Sequence, residues 1–369
     1  MLLQLTLLLQ ITSATDGGLY GASVELPEKT SVAAGGAVYG AVADERGPIG
    51  GGAGVAAVIT GGDYKASTLD GLLEALAVAE EGEVVFLPGD AVVDCTARVL
   101  VEELVIQLPQ GVTIASDRGH AGSQGALIFS DELKTRPLFQ TAGADVRLSG
   151  LRLRGPDPER RLDHHRRSYS GESRERNQEY YYSLPTSDGV RAMHDRLTVV
   201  NCELAGWSHA AVDLRRGVDH VVRHSFIHHN QRQGLGYGVC LDVASATIER
   251  NLFDWNRHSI AGTGRPGCGY IARHNVERGA SLSHCFDMHG GRDRKDGTDI
   301  AGTLMVFERN TFCGSARPIK LRGVPEESAH VAGNWFHHTS PSKSVVGSER
   351  LTIGLNAYGA SAPEVTEGR

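Results

Sequence analysis

The sequence predicts an all-β fold of stacked, repeating coils that is closed at its N-terminal end by one α-helix. The chain has 46 glycines among 369 residues, a composition that favours a turn-rich β-protein over a helical one. From Leu104 onward, short strands broken by Gly, Asn, Asp and His recur along the chain. A single amphipathic helical pattern precedes these repeats, which is typical of a cap on a stack.

Composition and charge exclude several classes of function. The net charge of −7 gives no reason to expect nucleic-acid binding, and no apolar run is long enough to span a membrane. The six cysteines show no CxxC spacing and are too sparse for a disulfide framework. We therefore expect buried thiols. We also expect the protein to be a monomer.

The first residues have the character of a targeting segment. Residues 1–17 combine an apolar stretch with small residues after it, as signal peptides do, and predict a secreted or periplasmic protein. Because basic residues are missing before the apolar stretch, a misassigned start is the other interpretation. Residues 18–60 are rich in Gly and Ala and predict an extended lead-in.

The capping helix is predicted from a clear start, an apolar face and a stop. Ser67 and Thr68 provide an N-cap, and Gly82 marks the end. The apolar face consists of Leu69, Leu72, Leu73 and Leu76. A strand pattern follows at once, so we expect the helix to cover an edge that would otherwise be open to pairing.

One polar residue recurs at the same point of each repeat, between two strands. The residues at this point are Ser149, Asn201, His224, Asn251, His274, Asn310 and Asn334. From Asn201 the steps are 23, 27, 23, 36 and 24 residues, by subtraction of their positions. A polar residue at a constant point predicts a ladder of side chains that hydrogen-bond along the stack.

This repeat resembles the single-stranded right-handed parallel β-helix of the pectate lyase-like superfamily. The resemblance implies three strands in each coil, with the ladder between the second and third strands, and a β-helix over residues 61–347. It leaves residues 348–369 as a C-terminal tail and residues 156–189 and 290–300 as long loop insertions. The segment SARPIKLRG is similar to the pectate lyase pattern, but the position of Pro318 leaves the matching arginine open between Arg317 and Arg322.

The strand that begins the next coil carries the active face in this superfamily. In the stretch from Cys285 to Arg322, period-2 strands place Asp287 beside Lys320 and His289 beside Arg322. Because stacked strands lie about 4.8 Å apart, the aligned outward positions should form one groove. The residues of that groove are Asp213, Asp242, Asp287, His289, Lys320 and Arg322, with His258 at its margin.

Two charged insertions are predicted to border the groove. The shorter one leaves the His289 strand and brings Arg292, Arg294 and Lys295. The longer one is rich in Arg, His and Tyr, and we take Arg166 and Tyr181 as its substrate-binding residues. Cations and hydrogen-bonding aromatic rings suit an acidic polysaccharide or oligosaccharide.

From these residues we predict a polysaccharide lyase that cleaves a uronate-containing glycan by β-elimination. Removing the proton at C5 requires a neutralised carboxylate and a base within hydrogen-bond reach. We predict His289 or Lys320 as the base and Arg322 as the carboxylate clamp, with Asp287 beside them. Calcium on Asp213, Asp242 or Asp287 is a candidate cofactor, since hard oxygen ligands suit it. The pairs His164–His165 and His228–His229 have no companion Cys or His at zinc-site spacing.

Two other functions remain open on sequence grounds. A polygalacturonase-like glycoside hydrolase would use Asp242 and Asp287, which lie two coils apart. A β-helix that binds glycan without catalysis would use the charged loops alone.

Overall fold

The computed structural model describes residues 25–170, 181–361 and 363–367, and within these ranges it is a right-handed parallel β-helix, as predicted. Each coil runs through three short strands that pair in parallel with the matching strands of the coils before and after it. The matching strands form three walls of one continuous stack. We name them the first, second and third wall in the order in which the chain visits them.

The first wall contains Ile106–Leu108, Phe139–Thr141, Asp188–Ala192, the start of Ala210–Arg223, the start of Tyr237–Glu249, His258–Gly262, Phe286–Met288, Ile319–Leu321 and Val345–Val346. The second wall contains Tyr64–Lys65, Val84–Phe86, Thr113–Ala115, Arg147–Ser149, Thr198–Val200, the ends of the two long strands, Gly269–Arg273, Leu304–Glu308, Ser328–Ala332 and Leu351–Ile353. The third wall contains Val92–Asp94, Leu127–Phe129, Arg152–Arg154, Glu203–Ala205, Phe226–His228, Leu252–Asp254, Val276–Glu277, Thr311–Phe312, Trp335–Phe336 and Leu355–Tyr358, with Glu364–Glu367 added antiparallel.

The predicted capping helix is confirmed at Leu69–Val78. Its N-cap is Thr68, whose hydroxyl accepts a hydrogen bond from the Gly71 amide, and it buries Leu72, Ala75 and Leu76. The sequence predicted no further helix after Leu104, and this was wrong. Short helices occur between strands, at Thr96–Glu102, Leu162–Ser168, Gly291–Arg294 and Pro341–Ser344. The last three were missed because helices of four to seven residues lack the apolar periodicity by which a helix is recognised.

The polar ladder exists, but its members differ partly from those predicted. Each rung's side-chain oxygen accepts from the backbone amide of the rung before it, at 2.9–3.0 Å from Ser225 to Asn356. The rungs are Ser225, Asn251, Asn275, Asn310, Asn334 and Asn356.

The predictions at Asn251, Asn310 and Asn334 were therefore right, whereas His224 and His274 stand one residue before the rungs. Both have positive φ, as does Asn201, because the chain bends sharply there. The sequence-based prediction thus assigned two adjacent positions, the bend residue and the rung that follows it, to a single position of the repeat. Ser149 also lies outside the ladder, in a strand of the second wall.

The stack extends beyond the predicted boundary at residue 347. Leu351–Ile353 and Leu355–Tyr358 pair in parallel with the preceding coil, and Asn356 supplies the last rung. At the other end of the chain, Ser31–Ala34 and Ala37–Gly40 form a hairpin. The lead-in buries Ala41 and Ile49 against Phe226, Leu252 and Val276 of the third wall.

The interior is a column of apolar side chains from all three walls. Aromatic rings stack along the third wall, with centroids 5.2 Å apart for Phe312 and Phe336 and 5.3 Å apart for Phe336 and Tyr358. Each strand therefore has one face packed in the core, and its alternate residues face outward. None of the helices in the described ranges is both long and apolar enough to cross a bilayer.

Candidate active site

The register of the first wall brings the charged residues of two coils together. Asp287 pairs with Lys320 and Met288 with Leu321, so His289 stands beside Arg322 at the ends of the same strands. Phe286, Met288, Ile319 and Leu321 point into the core. Asp287 and Lys320, the alternate residues, thereby face away from the core, as the sequence predicted.

Asp287 is the centre of this cluster and is fully buried. Arg322 donates to both carboxylate oxygens, with Nε 3.0 Å from Oδ1 and Nη2 2.7 Å from Oδ2. His289 Nε2 lies 3.1 Å from Oδ2. Burial opposes ionisation of Asp287, but His289, His258 and Arg322 outweigh it and hold the pKa of this carboxyl below its usual range. Asp287 is therefore a permanent anion at neutral pH.

His289 is the imidazole beside Asp287 that is most open to solvent. Its side chain is 27% exposed. Nε2 is covered by protein and faces Asp287, so Nδ1 is the ring nitrogen that a substrate can reach. Because a carboxylate favours a proton on the nitrogen that faces it, the lone pair of neutral His289 lies on Nδ1.

Two further imidazoles flank Asp287, and the sequence predicted only one of them. His258 Nε2 lies 3.7 Å from Oδ2 and His284 Nδ1 lies 3.7 Å from Oδ1, with the two rings stacked at 5.5 Å. Burial and the charge of Arg257 hold the pKa of His258 well below its usual range. Burial likewise lowers the pKa of His284 to about 4.

His258 is fully buried beneath the cluster rather than at the groove margin. His284 was missed because it precedes its strand. His284 could have been found from its position two residues before Phe286. The register that pairs Ile260 with Phe286 aligns it with His258, which is two residues before Ile260.

Two cations stand beside these imidazoles. Lys320 is half-buried next to Asp287 and has no ion pair or side-chain hydrogen bond among the described residues. Arg317 is half-buried as well, and the charges of Lys320, Arg322 and Arg317 all act to lower the pKa of His284. The surface around Asp287 is therefore cationic, and neither Lys320 nor Arg317 has a side-chain hydrogen bond or ion pair among the described residues.

A second histidine and carboxylate cluster lies on the same wall three coils away. His209 Nδ1 is 2.5 Å from Asp188 Oδ1, and the carboxylate of Asp213 lies within the same group. Asp213 accepts from Arg191 at 3.1 Å and from Arg215 at 2.7 Å. Burial opposes protonation of His209, but Asp188 outweighs it and raises the pKa of this imidazole.

A small apolar patch separates the two clusters. Tyr237, Cys240 and Ala261 face away from the central core but are buried against one another, with Ala210 beside them. Tyr237 stacks on His258 at 5.8 Å and meets His209 edge-on at 5.5 Å. From Asp213 through Cys240 and Ala261 to Asp287 there are three strand steps, or roughly 14 Å.

The predicted calcium ligands do not form a calcium site. Asp213, Asp242 and Asp287 lie on different coils, and each faces an arginine: Arg215, Arg265 and Arg322 respectively. Among the described residues, possible ligand atoms converge in two groups. One contains two carboxylates and a histidine, namely Asp188, Asp213 and His209, and the other contains one carboxylate and two histidines, namely Asp287, His258 and His289. Calcium requires six to eight oxygen ligands, so these arginine-paired sets do not fit it.

The shorter insertion contributes less to the groove than predicted. Arg294 is committed to the loop itself, donating to Asp296 Oδ2 at 2.7 Å, Thr263 O at 2.8 Å and Ile300 O at 3.0 Å. It stabilises the loop and is not free for substrate. Arg292 is 84% exposed and lies 3.6 Å from Asp299, and Lys295 is exposed at the end of the short helix.

The longer insertion packs through the residue that was predicted to bind substrate. Tyr181 is fully buried, and its hydroxyl donates to Gln233 O at 2.6 Å. It therefore anchors the insertion and is not available to a sugar. Arg166 lies on the surface of the Leu162–Ser168 helix and pairs with Asp163 at 3.0 Å. Residues 171–180 of this insertion lie outside the described residues.

Comparison with known proteins gives two solved structures of similar architecture. An alginate lyase from Paenibacillus sp. str. FPU-7 matches with a TM-score of 0.44 and 14% identity, over 80% of this chain and 97% of that one. The A-module of a mannuronan C-5 epimerase from Azotobacter vinelandii matches with a TM-score of 0.44 and 13% identity, over 79% and 88%. No family model and no curated protein matches the chain significantly.

Proposed function

We propose that this protein is a polysaccharide lyase that acts on a uronate-containing glycan by removing the C5 proton and eliminating the substituent at C4. The observation that carries this proposal is the geometry around Asp287. A buried carboxylate orients a solvent-accessible imidazole, and an uncommitted lysine stands on the adjacent coil. A base next to a cation is what abstraction of a proton beside a carboxylate requires.

His289 is the proposed base. With Nε2 facing Asp287, its Nδ1 lone pair can accept the C5 proton, and the positive charge that results on the ring is stabilised by the Asp287 carboxylate. The proton moves from carbon to Nδ1, and the electron pair left at C5 is delocalised into the sugar carboxylate. When the C4–O bond breaks, this pair forms the C4–C5 double bond, and the leaving oxygen takes a proton from solvent.

Lys320 is the proposed carboxylate-binding cation, a role that the sequence assigned to Arg322. Arg322 donates hydrogen bonds from Nε and Nη2 to Asp287, and its Nη1 lies 3.5 Å from Asp293 Oδ1. Its role is thus to fix Asp287 and so to orient His289. Lys320 has no such commitment among the described residues and can neutralise the uronate carboxylate as charge develops there.

The hydrolase alternative finds less support. An inverting hydrolase needs one carboxylic acid that is protonated and accessible. Asp287 is fully buried and bound by Arg322, and its pKa is lowered. Asp242 accepts from the Thr263 hydroxyl at 2.8 Å and faces Arg265.

The direct test follows near-ultraviolet absorbance during incubation with a panel of polyuronates, with and without a chelator. Elimination creates an absorbing double bond, and we expect a signal on one polyuronate that survives chelation. His289→Ala should lower the rate by about 10²-fold or more. His330→Ala, which changes an exposed histidine on the second wall, is the matched control and should retain full activity.

Other outcomes would redirect the proposal. New reducing ends without absorbance would indicate a hydrolase. Deuterium uptake at C5 from heavy water without chain cleavage would show that the proton is removed and then returned. Binding without any of these signals would favour a non-catalytic glycan-binding protein.

A further inference from the structure

Arg257 carries a positive charge into the wall beside the active site and has no acidic partner among the described residues. Its backbone amide donates to Asn230 O and Gly236 O, both at 3.0 Å, so its position on the wall is fixed. Nε and Nη1 are covered by protein and have no hydrogen-bond acceptor. Nη2 is not covered in this way and has no acceptor within the described part of the chain. Covering a cation without an anion costs free energy, so a bound anion is the partner that this side chain lacks.

The surroundings of Arg257 place it between the active site and the longer insertion. Its Cζ lies 5.9 Å from the Tyr237 ring centroid, and the next residue, His258, reaches to 3.7 Å from Asp287. Its charge also acts to lower the pKa of His165 on the Leu162–Ser168 helix. His258 belongs to the strand that pairs directly with the Asp287 strand. Arg257 comes immediately before it, four residues ahead of Ala261, the partner of Asp287, and its charge acts to lower the pKa of His258.

We propose that Arg257 binds the carboxylate of a second acidic sugar, next to the sugar whose C5 proton is removed, so that the substrate contains consecutive uronate residues. This inference rests on the proposed function and narrows its substrate class. A guanidinium is the side chain best suited to a carboxylate, since its planar donors match the two oxygens. Arg257 is only half-buried, and its Nη2 is not among the covered atoms, so a carboxylate can approach it from solvent.

The test measures binding in a His289→Ala background, so that ligands stay intact. The probes are trisaccharides of galacturonate, guluronate and mannuronate, each with its methyl ester, titrated by calorimetry. We expect Arg257→Gln to weaken binding of one free-acid trisaccharide roughly 10- to 100-fold, to leave its methyl ester unaffected and to reduce the salt dependence. The affinity of Arg257→Lys for the free acid should lie between those of the parent and of Arg257→Gln. Arg265→Gln, which removes a 57% exposed arginine near the groove, is the control and should bind as the parent does.

Thermal melting separates binding from a structural role. Removing an unpaired cation should leave Tm unchanged or raise it, so weaker binding without a lower Tm supports the inference. Unchanged binding of the free acid in Arg257→Gln would overturn it, and so would a parent protein that binds none of the three acids. A lower Tm that Arg257→Lys restores together with binding would assign Arg257 a structural role instead. Failure of the proposed function would appear separately, as absence of turnover by the unmutated protein.

Discussion

Arg322 holds Asp287 from the neighbouring coil through two parallel hydrogen bonds, at 3.0 and 2.7 Å, while His289 approaches the same carboxylate at 3.1 Å. This arrangement assigns different tasks to the residues of two adjacent strands. The arginine fixes the carboxylate, the carboxylate orients the imidazole, and the lysine between them remains uncommitted. The following predictions test these tasks one by one.

Asp287→Asn should remove most activity because the amide no longer holds the proton on His289 Nε2. Loss of the analogous carboxylate in a serine protease triad costs roughly 10⁴-fold, so we expect a loss of about 10³-fold or more in kcat. Steady-state turnover on the active polyuronate checks this. A loss of less than tenfold would contradict the role of Asp287 in orienting His289.

The same variant should also change how stability depends on pH. The pKa of Asp287 is lower in the folded protein than its ordinary value of 3.8. Its contribution to stability is therefore present above pH ~4 and is lost as the pH falls through the folded pKa. The unmutated protein should exceed Asp287→Asn in the free energy of unfolding at pH 7, by about 3 kcal/mol for a broken buried pair. In urea titrations the difference should shrink below pH ~4.

Lys320→Ala should lower kcat/KM by about 10²-fold, because the developing charge on the sugar carboxylate loses its cation. Lys320→Arg should restore part of the activity, since the charge is kept with a different shape. Lys65→Ala, which changes an exposed lysine on the second wall at the N-terminal end of the stack, serves as the control. If Lys320→Ala retains full activity while Arg322→Lys does not, the clamp belongs to Arg322 as the sequence first suggested.

The sequence predicted the fold and much of the site because both depend on regular spacing. Period-2 alternation placed Asp287 beside Lys320 correctly, since strand register is fixed by the apolar residues in the core. It could not show that Arg322 would turn to Asp287, because that depends on side-chain directions across coils. His284, Tyr181 and Arg257 lie outside the regular strands or in an insertion, where spacing says little about whether a side chain is buried or free.

Asn310→Ala should destabilise the stack strongly. The Asn310 side chain donates to Ala272 O and Asn334 Oδ1, and its oxygen accepts from the backbone and side chain of Asn275. Its removal leaves several buried groups unpaired, so we expect a loss of roughly 3–5 kcal/mol in chemical unfolding. Asn310→Ser should cost less, because Ser225 fills the equivalent rung and still accepts from Cys202. Equal losses for Ala and Ser would argue against the ladder as the cause.

Glu277 is the acidic residue whose removal should stabilise the protein. Its side chain occupies the inward column between Phe253 and Phe312, and Ser259 is the polar side chain that acts on its carboxyl. Burial raises the pKa of Glu277 from 4.5 to about 8, and Asp254 adds to the shift. Below pH ~4.5 the residue is protonated in both folded and unfolded states, so it makes no pH-dependent contribution to stability. Between pH ~4.5 and ~8 only the unfolded state ionises, so the folded state loses stability as the pH rises.

Glu277→Gln removes this dependence because an amide does not titrate. Its advantage over the unmutated protein should therefore be small at pH 4.5 and should grow to about 3 kcal/mol at pH 7. Urea unfolding at a series of pH values measures the difference directly. Glu308→Gln, an exposed glutamate on the second wall, should show no such trend. A constant difference between Glu277→Gln and the unmutated protein across this range would mean that the carboxyl is already ionised in the folded state, with a partner supplied by the interior.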